Sequence, residues 1–188
     1  MGVKLLAFAA SFRRESWHKR LIQVAVPLAV AAGAEVELRD YRDFESPLFD
    51  QDLLDARGLP PGAQAFHDLL GGVDGILLAT PEYNYSIPGT LKNLIDWESR
   101  VRPHQHLKGK TALLMSTSSG VVGGIRGLWQ TRIPLEGCGV FVYPEMFWNG
   151  PGPQLFTDDK TAFRDPKHLA WLQGMVTAYV GWTERMKG

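Results

Sequence analysis

Three short stretches hold most of the polar chemistry of this 188-residue chain. The first is Ser11-Phe12-Arg13-Arg14-Glu15-Ser16-Trp17-His18. Ser11 and Ser16 bring hydroxyls and Arg13 or Arg14 a rigid fork of donors, a set that suits a phosphate. A helix beginning near Ser16 would aim its first N–H groups and its positive end at the same spot. A capped helix with solvated arginines would account for these residues equally well. The second stretch is Thr80-Pro81-Glu82-Tyr83-Asn84-Tyr85-Ser86-Ile87-Pro88-Gly89. Its prolines and glycine shape a stiff loop. Tyr83 and Tyr85 offer flat apolar faces, and Asn84 and the backbone N–H groups can read polar edges. A planar heteroaromatic ligand asks for this combination. The bland alternatives are Tyr85 packed beneath the loop and Glu82 paired with an arginine. The third stretch, Ser116-Thr117-Ser118-Ser119-Gly120, is small and backbone-rich, so a ring or sugar can come close.

Other chemistries lack their patterns. No G-x-G-x-x-G follows the first apolar run, and Gly109-Lys110-Thr111 precedes a strand where a P-loop would follow one. His18 lies near Ser11 and Ser16, but no serine sits in G-x-S-x-G. His67, His104, His106 and His168 have no metal-ligand spacing, and RPHQHLKG around His104 and His106 reads as an exposed turn. The lone Cys138 excludes an internal disulfide. A bound flavin would make a catalytic triad unnecessary, because the cofactor carries the redox chemistry and the protein orients it.

These stretches need a scaffold that brings them together. Val3–Ala9 and Val73–Ala79 are nearly unbroken apolar runs, the pattern of strands covered on both faces. Ala34–Arg39, Lys110–Ser116 and Val140–Tyr143 complete five strands. Helical spacing occupies Trp17–Ala32 despite Pro27, then Ala63–Leu70, Pro88–Arg100, 125–137 and Pro166–Met186. Residues 40–62 and 149–160 read as loops. Strands alternating with helices predict an α/β, three-layer, single domain over residues 1–188, with ligands outside the strands' carboxyl ends. All three polar stretches would open there. The 20 basic and 20 acidic side chains cancel, which argues against a nucleic-acid partner. No apolar run is long enough to span a membrane, and Leu5–Ala10 is too short for a signal-peptide core, so a cytoplasmic location is expected.

Ser11-x-Arg13-x-x-Ser16-x-His18, together with Thr80-Pro-Glu-Tyr-Asn-Tyr-Ser-Ile-Pro-Gly-Thr-Leu-Lys-Asn-Leu-Ile-Asp-Trp97, resembles the NADPH-dependent FMN reductase family. The resemblance runs from about residue 3 to residue 180. It implies a flavodoxin-like three-layer sandwich with a five-stranded parallel sheet. It implies that Ser11, Arg13, Ser16 and His18 surround the FMN phosphate, that Pro81, Glu82, Tyr83 and Asn84 line the ribityl chain and ring, and that Ser116, Ser118 and Gly120 lie on the flavin's other side. The family commonly has Asn at the position of His18 and often Gly at that of Ala10, and Thr117-Ser118-Ser119 also departs from its usual form. It further implies ping-pong turnover: NADPH or NADH reduces the flavin, and a quinone, azo compound, chromate or free flavin then takes the electrons as the small-molecule acceptor. A homodimer or homotetramer is expected, with Leu91, Leu94, Ile95 and Trp97, or Leu128, Trp129, Ile133 and Leu135, as candidate contacts. The rival reading is an FMN-binding electron-transfer protein without a productive nicotinamide site; the neutral charge and the arginines of SFRRES favour the enzyme.

Overall fold

The computed structural model describes residues 2–103, 105–159 and 161–187, so His104 of the histidine pair lies outside the described residues. Its strands are β1 (Lys4–Ala9), β2 (Glu35–Leu38), β3 (Gly75–Ala79), β4 (Thr111–Thr117), β5 (Phe141–Val142) and β6 (Phe147–Asn149). Its helices are α1 (Trp17–Ala31), α2 (Gln51–Arg57), α3 (Pro61–Gly71), α4 (Gly89–Ser99), α5 (Ile125–Gly137), α6 (Gly152–Leu155) and α7 (Pro166–Met186). All strand pairs are parallel, in the order β2-β1-β3-β4-β5. The fifth position of the sheet is shared. β5 pairs Thr111 and Ala112 of β4, and β6 pairs Met115–Thr117 further along. Pro144 lies between the two pieces and has no N–H to give the ladder, which accounts for the break.

The apolar strands divide their side chains between two cores. Leu5, Ala7 and Ala9 of β1 pack with Leu77, Leu113 and Met115 against α1 and α7. Leu6, Phe8 and Ala10 join Ile76, Leu78 and Leu114 against α3, α4 and α5. Period-2 alternation within an unbroken apolar run thus builds the middle layer of three. Pro27 lies on the exposed side of α1, and the helix continues through it. Tyr179 fastens α7 to the start of the sheet. Its hydroxyl donates to the Ile76 carbonyl at 3.1 Å, accepts the Ile76 N–H at 3.2 Å and meets Thr111 Oγ1 at 3.0 Å. Gly75 is required beside it, since a Cβ there would stand 2.5 Å from that hydroxyl and 2.2 Å from Thr111 Oγ1.

Several expectations need correction. Residues 40–62 are not one loop. Asp40 caps a 3-10 turn over Tyr41–Phe44, whose two aromatic ends are buried, and Asp50 caps α2. The 149–160 segment contains α6 and the end of β6. Leu91, Leu94, Ile95 and Trp97 are all buried within the chain and are not free for a subunit contact. Of the second set, Leu128 and Leu135 are core, whereas Trp129 and Ile133 are exposed at 58% and 64%. His106 is not on a free turn: its N–H donates to the buried Glu98 at 2.6 Å, and its ring stacks on His67 at 4.3 Å. Burial raises the Glu98 carboxyl above its usual range, and the His106 N–H and His67 partly oppose this.

Candidate cofactor site

The loops after β1, β3 and β4 meet at the carboxyl edge of the sheet. Ser16 ends the first loop in extended backbone and caps α1, its Oγ accepting the His18 N–H at 3.2 Å. Ser11 Oγ similarly accepts the Arg13 N–H at 3.4 Å, which curls the loop and leaves Arg13 exposed. The His18 side chain is buried and turns toward the end of β4. Its Nε2 accepts the Thr117 N–H at 3.4 Å and lies 3.3 Å from Ser116 Oγ. Burial pushes the ring's pKa down to about 3, so it is neutral at ordinary pH. Ser116 is fully buried and donates to the Thr80 carbonyl at 2.8 Å, tying the ends of β3 and β4 together.

The second loop is braced from α5. Glu82 accepts from Arg126 Nε at 2.9 Å and from the Gly127 N–H at 3.0 Å, with a further Arg126 contact at 2.7 Å. The helix comes this close because Gly127 has no side chain: a Cβ there would be 2.9 Å from Glu82 Cα. Beyond Glu82, Tyr83 and Ser86 exchange two backbone hydrogen bonds of 3.0 Å around Asn84 and Tyr85. Both central residues have positive φ, 49° and 67°, the signature of a tight I′ turn. Asparagine tolerates that region. Tyrosine does not do so readily, at a cost of about 1–2 kcal/mol. The Arg126 guanidinium lies over the Tyr85 ring at 4.0 Å.

Between the loops is an open cleft of about 200 Å³. Eight of the residues singled out in the sequence line it: Ser11, Arg13, Ser16, His18, Pro81, Glu82, Tyr83 and Ser118. Asn84 stands at the tip of the turn, Ser116 lies behind the wall, and Gly120 closes a small loop through Ser118 Oγ; none of the three is part of the lining. Trp17, Thr117 and Ser119, which lie within the first and third stretches but were not among the expected cofactor contacts, also line the cleft. Thr117 carried a signal, since it directly follows Ser116 at the end of a predicted strand. Its Oγ1 is buried without a hydrogen-bond partner in the described structure, and a buried hydroxyl in a cleft wall invites a polar ligand atom. Hollows of about 340 and 400 Å³ lie elsewhere, one along Asp74, Lys110 and Lys187 and the other beside α2 and α3. Neither is at the strands' carboxyl ends, where the capped helix and three loops converge.

A doubly wound parallel sheet with hydroxyls, an arginine and a helix start at one end of an aromatic-edged cleft defines a nucleotide-cofactor protein of the flavodoxin-like class. Residues 3–178 match the family described as NADPH-dependent FMN reductase, and the chain belongs to that family: it is an FMN-dependent NAD(P)H reductase. It is 34% identical over 188 residues to an NAD(P)H-dependent FMN reductase of Pseudomonas aeruginosa, covering 99% of this chain and 98% of that protein. It is 32% identical over 186 residues to a quinone reductase of Escherichia coli K12, covering 98% and 97%. The structure superposes on FerB, a flavoenzyme NAD(P)H:(acceptor) oxidoreductase from Paracoccus denitrificans, with a TM-score of 0.84, 28% identity and 98% coverage of both chains.

Proposed function

We propose that the cleft holds one FMN and that the enzyme passes electrons from NADPH or NADH to a small oxidised acceptor of the quinone class, with azo compounds, chromate and free flavin as further candidates. The observation that supports this best is the meeting of Ser11, Tyr83 and Ser118 around one cleft from three loops far apart in sequence. The donor set fits the cofactor. Ser11, Ser16 and the exposed Arg13 face the start of α1, where an anion is favoured. Pro81 and Tyr83 form a flat apolar border, and the unpartnered Thr117 hydroxyl sits in the wall between. Asn84, Ser116 and Gly120 keep a place in this reading through the turn and the loop they shape. His18 contributes a neutral ring rather than a charge.

When bound, FMN supplies the two-electron chemistry, and the protein's part is to fix the ring and leave one face open. A single open face means that donor and acceptor occupy it in turn, which is ping-pong turnover. Relatives named as quinone reductases from Escherichia coli and from plants support the acceptor class. The exposed Trp129 and Ile133 on α5 support assembly into a homodimer or homotetramer. An NAD(P)H-consuming reductase belongs in the cytoplasm with its donor, and no described helix is long and apolar enough to cross a membrane. Purified FMN-loaded protein should bleach rapidly under anaerobic conditions with NADPH or NADH and regain its yellow colour with a quinone. Colour that persists with both nicotinamides would favour an electron-transfer protein instead.

A further inference from the structure

We infer that Arg126 is a positioning residue, clamping the Tyr83–Ser86 turn in a backbone conformation the turn would not hold alone and thereby fixing the open side of the cofactor cleft. The inference rests on the FMN reading above and assigns a role to a residue outside the cleft lining.

Arg126 engages the turn from two directions. The edge of its guanidinium takes the Glu82 carboxylate through Nε and a second nitrogen, and its flat face covers the Tyr85 ring. Glu82 precedes the turn and Tyr85 is its second central residue, so one planar cation holds both. Lysine has the charge without the fork or the plane, and it could satisfy one direction but not both. The opposing force is also present. Tyr85 holds φ at 67° and is 67% exposed, so burial does not keep it there. Arg126 and Gly127 lie in the first turn of α5, directly after the loop that follows β4, and Gly124 must stay bare because a Cβ there would be 2.2 Å from Ser116 Oγ. The clamp therefore couples two of the cleft's three walls. The side-chain hydrogen bonds of Ser11 and Ser16 in the first wall stay within the first loop and the start of α1.

That division sets the test. Hydrogen exchange at the Tyr83 and Ser86 amides is read in flavin-free and FMN-loaded protein, and KM, kcat, FMN affinity and solution mass are measured on the loaded protein. Arg126→Ala should speed exchange at these two amides about tenfold and raise KM for nicotinamide and quinone several-fold, with kcat and FMN affinity within about twofold. Tyr85→Phe keeps the ring and should keep the exchange protection. Tyr85→Gly removes the ring face that Arg126 covers and should raise KM as Arg126→Ala does; an unchanged KM in it would overturn the Tyr85 half of the clamp. In the double variant with Arg126→Ala the two effects should not add. Unchanged exchange and KM in Arg126→Ala would overturn the inference, as would a fall in kcat alone or a KM change that tracks a change in mass. Wild-type protein that takes up no FMN would instead overturn the cofactor reading, and exchange in the flavin-free protein would still judge the clamp.

Discussion

Arg13 and His18 are five residues apart, and the structure gives them opposite situations. Arg13 is exposed on a loop curled by Ser11, so Arg13→Ala should leave the melting temperature nearly unchanged. FMN affinity should fall by about tenfold or more, the scale of one lost charge-assisted hydrogen bond. Fluorescence titration with FMN checks this, and an unaltered dissociation constant would remove Arg13 from the phosphate site. His18 is buried with its pKa pushed down to about 3. An unfolded chain takes up that proton near the ordinary value of about 6.5. Between those two values the unfolded state binds more protons, so stability falls as pH drops through this window and the full contribution is present above it. His18→Asn should abolish that slope. Denaturant midpoints near pH 7 and near about pH 4.5 should show wild type losing a few kcal/mol more than the variant. The Ser16 cap was legible from its place before an apolar period. The inward turn of His18 was not, because its partners are 98 and 99 residues away.

At the scale of elements, long helices and central strands could be read from period alone. α7 runs over the expected Pro166–Met186, and β1 and β3 differ from expectation only at their starts. The pieces missed are short: α2, α6 and β6 have seven, four and three residues. Elements of that size carry too few apolar positions to show a period, and tertiary contacts decide them. The close approach of α5 to the Glu82 loop was invisible for a related reason, since it depends on a missing side chain. Gly127→Ala puts a methyl 2.8 Å from Glu82 Cβ. It should cost about 1–3 kcal/mol by overpacking and release the Glu82 loop. Gly137→Ala in the same helix meets nothing within 4 Å and serves as the control. Thermal melts of the pair should separate clearly; equal melting temperatures would show that the helix can shift away at no cost.

For the whole molecule, the three polar stretches were legible separately, and their convergence came from topology: parallel strands place every following loop at one edge. Trp129 and Ile133 stand exposed on α5, where a second copy would cover them. A 20.9 kDa chain should sediment as a multiple of that mass at micromolar concentration, and Trp129→Glu should shift it toward the single chain. A single-chain mass for the wild type would leave those side chains as ordinary surface.

The interrupted fifth position of the sheet has a consequence for the crowded protein. One margin is cut at Pro144, and the other, β2, is four residues long with Glu35 and Glu37 exposed. Neither presents a long flat ladder on which another copy could zip. Folded protein should therefore resist strand addition by a second copy at either border, and incubation of native protein at high concentration should give no rise in thioflavin fluorescence.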